Sequence, residues 1–462
     1  VTLSIHDDGD LMKTINDDAI QAVIDKRFSG YQFRVITLCF IVALFDGFDT
    51  QAVAFTGPAM IEAFGASVES LAPVLTAGIV GMTLGAMGLG MLGDRLGRRK
   101  ALIICVTVFA LPTLLTTLAT SLEQIVFLRA LAGFGMGGAT PVLLALAAEY
   151  SPARYRAMVT TAVLLALPAG AMSGGLLAAE VMPLWGWQSI YLIGSATPLL
   201  LLAALLLWLP DSLAFLRTRS GERNGQRMVA ILAKISGERF APAGPRLPQA
   251  APAKAPGRRL GQLLTGELRL TTFGVWSVYF FNWVAWFMLL SWLPTLLKQA
   301  GLSPAGAPYA SVTVNAAFIV FAIPLSWFLP RINTIRILAV MFCAGIAIAL
   351  LLSVAIPAQQ WGVAFLLIAL AGFGIGGQQL ALNYLVVASY PAAVRSTAMG
   401  WAIGMGRMGA ILGSAVGGVV LSRLGSAGFF WMLALPLAIA CVSILLIRHT
   451  SRHKSAPEAV GS

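Results

Sequence analysis

Long apolar segments recur along the chain and are separated by short polar connections. Each segment holds roughly 20 residues or more with few charges, enough for an α-helix to cross the ~30 Å hydrocarbon core of a bilayer. Irregular backbone at membrane depth must be buried in protein or face water, so we expect helices throughout. The pattern predicts twelve transmembrane helices, at residues 32–57, 70–92, 101–119, 122–149, 157–182, 187–209, 270–297, 307–329, 335–355, 360–389, 395–422 and 427–447.

One stretch of sequence occurs twice, about half a chain apart. Residues 130–138 read ALAGFGMGG and residues 369–377 read ALAGFGIGG, and the same offset places Gly170 on Gly409. The alternative is that two glycine-rich helices share a packing motif by chance, but the matches continue through the next loop and helix. An even number of helices per unit keeps both copies in one orientation. The repeat therefore predicts an all-α membrane protein of two six-helix bundles, with a site at their interface.

A polar region divides the two predicted bundles. Residues 241–259 hold five prolines among alanines and basic residues, which is typical of a flexible linker. Residues 222–235 have the spacing of a short amphipathic surface helix. We expect an N-terminal tail, a first bundle, a linker loop, a second bundle and a C-terminal tail at residues 1–31, 32–210, 211–269, 270–448 and 449–462.

Composition and charge agree with this membrane assignment. Only 11% of residues are charged, against about 25% in soluble domains. The net charge of +12 raises a nucleic-acid partner as an alternative. The basic residues, however, collect in alternate connections, and the opposite connections hold only Lys298 and Arg423. This positive-inside pattern predicts a multi-pass protein of the inner (plasma) membrane with both termini cytoplasmic, a lipid bilayer as its partner and no nucleic acid.

Several classes of chemistry find no support in the sequence. The four cysteines lie singly in apolar segments without metal or redox spacing, and the three histidines lie in the tails. The phosphate-cradling pattern G-x-x-x-x-G-K-[ST] of a nucleotide-driven pump does not occur. A membrane sensor or enzyme would need a catalytic constellation or an appended domain, and neither is evident. We therefore expect no enzyme and no cofactor, and a proton gradient as the energy source.

Two carboxylates lie inside the first predicted span. Asp46 and Asp49 are three residues apart and so share one helix face. Ionisable residues inside a membrane are costly, which makes them functional candidates. Close carboxylates in an apolar setting disfavour each other's ionisation, which suits a pair that binds and releases a proton as a unit. The alternative is that both are permanently satisfied by backbone or arginine partners.

Arg129 lies in span 4 and Arg407 lies in span 11. The equivalent position in the other half of the repeat holds no arginine in either case. The planar guanidinium fork of arginine matches a carboxylate with two hydrogen bonds. We predict that Arg407 receives a substrate carboxylate. We also predict that Arg129 pairs with Asp46 or Asp49 and sets their proton affinity; a fixed ion pair near the outer surface is the alternative.

Other polar and aromatic side chains are candidates to complete a pocket and its gates. Amides and rings in the spans can hydrogen-bond or stack on an aromatic solute, although a lipid-facing aromatic belt is the alternative for the rings. Charges at the ends of helices 2 and 4 can exchange partners as the halves move, or serve topology alone. The predicted substrate-binding residues are Arg407, Gln379, Asn383, Tyr384, Gln51 and Trp283, and the predicted gating residues are Asp94, Arg95, Arg98 and Glu149.

Three segments carry a family resemblance that covers roughly residues 32–447. Residues 90–100, GMLGDRLGRRK, resemble the loop signature of the major facilitator superfamily between helices 2 and 3. Residues 46–49, DGFD, resemble the signature of its aromatic acid:proton symporters, and residues 404–410, GMGRMGA, fit the same family. Two positions depart from the pattern: Asn333 stands at the repeat equivalent of Asp94, and Gly413-Ser414 replaces a frequent Gly-Pro.

The resemblance implies a fold and a function. The fold is that of the major facilitator superfamily, and the function is proton-coupled uptake of an aromatic carboxylate, such as a hydroxybenzoate, by alternating access. The expected partners are the aromatic acid and a proton, and the expected state is a monomer. The alternative is proton-coupled export of drugs or metabolites. Exporters of this superfamily resemble one another in a Gly-Pro-x-x-Gly-Gly motif in helix 5, which residues 167–175 lack.

Overall fold

The computed structural model describes residues 3–5, 11–14, 17–218, 222–238, 240–241, 261–266 and 268–452. Apart from Ala241, the predicted flexible linker at 241–259 lies outside the described residues, as does most of the predicted C-terminal tail. The N-terminal part contains nine helices among the described residues: α1 (Asp17–Lys26), α2 (Gly30–Phe64), α3 (Leu71–Leu96), α4 (Arg98–Thr116), α5 (Leu122–Glu149), α6 (Ala153–Trp185), α7 (Gln188–Trp208), α8 (Leu213–Thr218) and α9 (Glu222–Ser236).

The C-terminal part is also helical. A π-helical turn at Gly372–Gly376 separates two of its helices, and a 3₁₀ turn at Leu329–Arg331 separates two others. The helices are α10 (Leu268–Gln299), α11 (Ala307–Phe328), α12 (Thr334–Ala355), α13 (Trp361–Ala371), α14 (Gln378–Ser389) and α15 (Ala392–Arg452).

Eleven helical segments of the described chain are long and apolar enough to cross a membrane. The last of them runs for 55 residues, which would make one helix about 80 Å long. Gly425 interrupts it, because its backbone angles of φ 66° and ψ −170° are not helical. The break divides α15 into two crossings, so the segments agree with the twelve predicted helices and confirm the all-α membrane fold.

Several helices extend beyond the apolar windows that predicted them. Helix α2 starts at a capping box in which Ser29 accepts from the backbone of Gln32 and the Gln32 side chain accepts from Ser29. It ends at Gly65, whose φ of 58° is left-handed. Caps and left-handed glycines, rather than the edge of the hydrocarbon, therefore set where this helix begins and ends.

Three short strands lie outside the spanning helices and were not expected from the hydrophobic pattern. Leu3–Ile5 pairs antiparallel with Leu11–Thr14, which pairs in parallel with Phe240–Ala241. The predicted amphipathic helix is present as α9. Its apolar side is buried against α1 and the first bundle at i, i+3, i+4, i+7 spacing, through Met228, Ile231, Leu232 and Ile235.

Glycines bring paired helices into direct backbone contact. A Cβ on Gly170 of α6 would lie 1.7 Å from the carbonyl oxygen of Leu44 in α2. A Cβ on Gly409 of α15 would lie 2.1 Å from the carbonyl oxygen of Phe280 in α10. Because the repeat offset relates Gly170 to Gly409, the same close approach occurs once in each half.

The repeated nonapeptide winds differently in its two copies. Residues 130–138 lie within the regular helix α5, whereas residues 369–377 contain the π-helical turn. Gly137 packs on the backbone of Met82, but the equivalent Gly376 packs on the indole of Trp286, 2.5 Å from a built Cβ. A π turn places an extra residue in the helix and is often found at functional sites. The predicted span at 360–389 is therefore present, but its winding differs from the expected α-helix at this turn.

Candidate functional site

A cavity of about 320 Å³ lies between the first six spanning helices and the last six. Most of its wall is apolar, and polar groups are placed at a few points around it. Such a combination suits an organic solute that needs a few oriented contacts. The polar residues that line the cavity are Asp49, Thr50, Gln51, Arg129, Thr140, Ser291, Asn315, Gln379 and Arg407.

Helices α2, α4 and α5 meet in a buried ion pair. Arg129 Nη1 donates to Asp49 Oδ2 at 2.7 Å, and Arg129 Nη2 donates to the hydroxyl of Thr113 at 2.9 Å. The Thr113 hydroxyl in turn donates to Asp49 Oδ1 at 3.1 Å. The guanidinium also lies 5.0 Å from the centre of the Tyr191 ring. Both charged side chains are almost completely buried, with 3% and 1% of their surface exposed.

Asp46 has different partners from Asp49. Its Oδ2 accepts from the hydroxyl of Thr140 in α5 at 2.8 Å, while its Oδ1 is buried and has no hydrogen-bond partner in the part of the chain that the structure describes. Arg407 is near enough for its charge to act on Asp46. The two carboxylates share one face of α2, as the spacing predicts, but they are bound separately.

Arg407 crosses from the second half to the first. Its Nη1 donates to the backbone carbonyl oxygen of Met82 in α3 at 2.6 Å. Its side chain lines the cavity beside the apolar wall. Of the two arginines in the lining, Arg129 is thus held by a carboxylate, and Arg407 is held by a neutral carbonyl group.

Aromatic rings form one wall of the cavity. Trp283 stacks on Phe287 with ring centres 5.5 Å apart and planes 22° apart. The ring centres of Trp286 and Phe318 of α11 lie 6.2 Å apart. The Trp283 Nε1 donates to Gln379 Oε1. All four rings line the cavity, so Trp283 lies at the predicted pocket and not in a lipid-facing belt.

Two of the predicted substrate-binding residues do not line the cavity. Asn383 lies one turn behind Gln379, and its Oδ1 accepts from Gln379 at 3.0 Å and from Tyr279 at 2.8 Å. Tyr384 packs against the apolar core of the second half. The prediction is wrong for Asn383 because residues four apart lie one helical turn apart on the same face. Gln379 therefore lines the cavity, and Asn383 lies one turn further along the helix. Asn383 supports Gln379 from behind.

Sequence reasoning missed several lining residues, of which Asn315 in α11 is the most polar. Its Nδ2 donates to Gln51 Oε1 at 3.2 Å and to the backbone carbonyl of Ser311 at 2.8 Å. A single asparagine in an otherwise apolar span was the available signal. Thr140, Trp286 and Phe318 had no such signal, because they are ordinary membrane-helix residues.

The predicted gating residues join helices within the first half. Arg98 at the start of α4 pairs with Glu149 at the end of α5. Glu149 Oε2 also accepts from Ser212, just before α8, at 2.7 Å. Arg95 is exposed at the end of α3, and the side chain of Asp94 lies outside what the structure describes. Whether these residues exchange partners stays a prediction.

The opposite end of the cavity is crossed by contacts between the halves that the sequence did not indicate. In each contact a carboxylate of the first half accepts from a donor in the second half. These contacts, together with the Gln51–Asn315 bond, close the cavity at the end away from the termini. The pairs are Lys298 with Glu62 (2.5 Å), Tyr309 with Glu180 (2.6 Å) and Ser422 with Glu69 (2.5 Å).

Comparison with known proteins identifies the family. The Major Facilitator Superfamily model matches residues 39–406 and 275–461. The chain is 37% identical over 432 residues to the gallate transporter of Pseudomonas putida, covering 92% of this chain and 94% of that one. It is 33% identical over 436 residues to the 4-hydroxybenzoate transporter PcaK of Pseudomonas aeruginosa, covering 92% and 95%. The chain belongs to the aromatic acid:proton symporter family of the major facilitator superfamily.

Solved structures confirm the fold of this major facilitator protein. It is similar to the D-xylose–proton symporter, with a TM-score of 0.69 at 17% identity over 90% of this chain and 97% of that one. It is also similar to the xylose transporter XylE of Escherichia coli in a partially occluded inward-open conformation, with a TM-score of 0.68 at 18% identity, covering 94% and 100%. Its membership of this transporter family makes the protein a multi-pass membrane transporter and not an enzyme.

Proposed function

We propose that this transporter takes up an aromatic carboxylate together with a proton, by alternating access across the inner membrane. One observation carries the proposal. A single cavity between the halves combines stacked aromatic rings, an arginine without a carboxylate partner in the described chain, and an adjacent buried carboxylate oxygen without a hydrogen bond. The similarity to transporters named for gallate and 4-hydroxybenzoate supports the same substrate class.

Arg407 receives the substrate carboxylate. Its one hydrogen bond in the described chain uses Nη1, so Nη2 and Nε are left for an incoming anion. The planar fork offers two parallel donors to a carboxylate. Trp283, Phe287, Trp286 and Phe318 provide ring faces and edges for the aromatic part, and each favourable ring pair adds ~0.5–1.5 kcal/mol beyond burial.

Asp46 carries the coupled proton. Asp49 already accepts from Arg129 and Thr113, so its charge is matched in the buried site. The Oδ1 of Asp46 has no hydrogen-bond partner among the described residues, and a proton on that oxygen removes an uncompensated buried charge. Arg129 holds Asp49 in place through the buried ion pair.

The proton and the anion are coupled through Arg407. When Asp46 is charged it attracts Arg407, and when Asp46 is neutral the guanidinium is released for the substrate. Linkage requires that the effect is reciprocal, so the bound anion also favours a proton on Asp46. With both bound, the site has no net charge added, and the halves can close over it at lower cost.

The side on which the termini lie identifies the outer end of the cavity. The positive-inside distribution supports cytoplasmic termini. The end closed by Glu62, Glu69 and Glu180 is then the outer end, and the conformation described above faces inward. Substrate and proton enter from outside after these contacts open, and leave on the cytoplasmic side.

Uptake in proteoliposomes tests the proposal. Labelled 4-hydroxybenzoate should accumulate when the outside is acidic, and collapse of the pH gradient should abolish accumulation. Arg407→Ala should lose uptake, while Arg407→Lys should keep a charge but bind weakly because the fork is gone. Concentrative uptake that survives collapse of the gradient would contradict proton coupling, and normal uptake by Arg407→Ala would contradict the anion site.

A further inference from the structure

An amide pair joins the two halves inside the cavity. Gln51 of α2 and Asn315 of α11 both line it, and Asn315 Nδ2 donates to Gln51 Oε1 at 3.2 Å. The same Nδ2 donates to the carbonyl of Ser311 at 2.8 Å. A carbonyl only accepts, so the atom facing Ser311 must be the amide nitrogen, and the orientation of both amides is fixed.

The hydrogen-bond count of this pair leaves one acceptor and one donor. Both protons of Asn315 Nδ2 are used, and its Oδ1 remains. The Oε1 of Gln51 is used, and its Nε2 remains. Neither Oδ1 nor Nε2 is a fully buried polar atom without a partner, and both residues line the cavity, so we place these two atoms at its wall.

A ring hydroxyl satisfies both remaining atoms, because a hydroxyl donates one hydrogen bond and also accepts. It donates to Asn315 Oδ1 and accepts from Gln51 Nε2. A ring that carries hydrogen at this position leaves both amide atoms dehydrated and unpaired. Sites built to bind a hydroxyl reject the analogue that lacks it for this reason.

The position of the pair fits a substituted benzoate. Gln51 lies five residues beyond Asp46 on α2, about 7.5 Å along the helix axis toward the closed end. Arg407 lies near Asp46. Arg407 and the amide pair both line the cavity, so a ring with its carboxylate at Arg407 can present a hydroxyl to the pair at another point of the wall.

We propose that Gln51 and Asn315 are specificity-determining residues that recognise a hydroxyl on the far side of the ring from the carboxylate. The inference rests on the proposed function, since it concerns the same cavity and the same solute. It makes the transporter selective for hydroxylated aromatic acids over the unsubstituted acid.

Competition binding and uptake test the inference. Purified protein in proteoliposomes takes up labelled 4-hydroxybenzoate while unlabelled 4-hydroxybenzoate, benzoate or 4-chlorobenzoate competes. The wild type should prefer 4-hydroxybenzoate over benzoate by about 10-fold or more. Asn315→Leu and Gln51→Leu should each bring that ratio close to one. Without the amide, 4-hydroxybenzoate loses its hydrogen bond, and benzoate no longer leaves a buried amide without one.

A matched control lies on the same helix. Thr313 donates to the Tyr309 carbonyl at 2.8 Å and does not line the cavity, so Thr313→Val should keep the wild-type ratio. Elution of each variant from a sizing column as a single peak shows that it is folded. If one of the two amide variants does not fold, the other one alone tests the inference.

Each remaining outcome decides one question. If the amide pair serves only to close the halves, the variants would take up less labelled 4-hydroxybenzoate while the competition ratio stays unchanged, which overturns the inference. A wild type that transports both acids but prefers benzoate also overturns it. A wild type that neither binds nor moves any aromatic carboxylate contradicts the proposed function itself, and that result is visible before any variant is made.

Discussion

Asp46 and Asp49 belong to one four-residue motif, but different side chains donate hydrogen bonds to the two carboxylates. Asp49 is surrounded by a guanidinium and a hydroxyl that both donate to it. Asp46 receives one hydroxyl on one oxygen and nothing on the other. Their spacing predicted the shared helix face, because that follows from helix geometry. Their partners lie on α4 and α5, more than 60 residues away in the chain, and no local pattern indicates them.

The difference between these carboxylates predicts different variants. Asp46→Asn should lose pH-driven accumulation while exchange of labelled for unlabelled substrate across the membrane persists, since the amide imitates the protonated acid. Asp49→Asn should lose both, because it leaves the buried Arg129 without its counter-charge. Uptake and counterflow measured on the same vesicles distinguish these results. Equal loss of both activities in Asp46→Asn would contradict its role as the proton carrier.

Glycines at the helix crossings predict a packing effect. Gly170→Ala places a methyl group 1.7 Å from the Leu44 carbonyl, and α2 and α6 must separate, which costs ~1–3 kcal/mol. We expect a lower unfolding temperature in detergent and reduced uptake, since α2 carries both carboxylates. Gly400→Ala is the control, because a Cβ there meets nothing within 4 Å. An unchanged unfolding temperature for Gly170→Ala would show that the crossing tolerates a side chain.

Elements are the scale at which hydrophobic pattern predicts most. All twelve apolar segments are helical, since a membrane interior requires internally paired backbone. Two features were not predictable. The connection expected between residues 422 and 427 shrinks to one non-helical residue, Gly425. The strand pairing of residues 3–5, 11–14 and 240–241 joins segments of two to four residues, which are too short to give a periodic signal.

The contact among α4, α5 and the segment before α8 predicts an effect at the element scale. Glu149 accepts from both Arg98 and Ser212 in a half-buried position. Glu149→Ala removes both acceptors and should destabilise the protein by ~1–3 kcal/mol. Arg227→Ala breaks an ion pair with Asp211 in which the arginine is 64% exposed, and it should cost less than about 1 kcal/mol. Thermal unfolding of the two variants side by side measures the difference, and equal values would contradict it.

The whole molecule consists of two related sets of helices with a cavity between them. The internal repeat predicts this division, and its unduplicated charges predict where the halves differ. The conformation was not predictable, because one sequence must encode every state of the transport cycle. The sequence pattern assigns no role to Glu62, Glu69 and Glu180, because their partners become visible only when the second half is placed against the first.

The closed end predicts a conformational variant. Lys298→Met removes the donor to Glu62 and should raise the population that is open at that end. A cysteine introduced at Ser291 in the cavity, with the native cysteines replaced, reports this through labelling by a membrane-impermeant thiol reagent from outside. The labelling rate should rise several-fold. Arg423→Met, the other basic residue at that end, should leave the rate unchanged. A rate that is unchanged by Lys298→Met would show that this ion pair does not hold the cavity shut.

The π-helical turn in the second nonapeptide has a consequence for how this pocket can evolve. The two copies differ in one residue, which is Met136 in the first and Ile375 in the second. They also differ in what packs on equivalent glycines: Gly137 meets the backbone of Met82, and Gly376 meets the indole of Trp286. The indole packs directly against Gly376 within the turn. Without it, rewinding to an ordinary turn would rotate Gln379 by about 100° and take its amide out of the cavity wall. A substitution of Trp286 on α10 would thus make the pocket less polar, although no residue that supplies a polar group to the pocket would be changed.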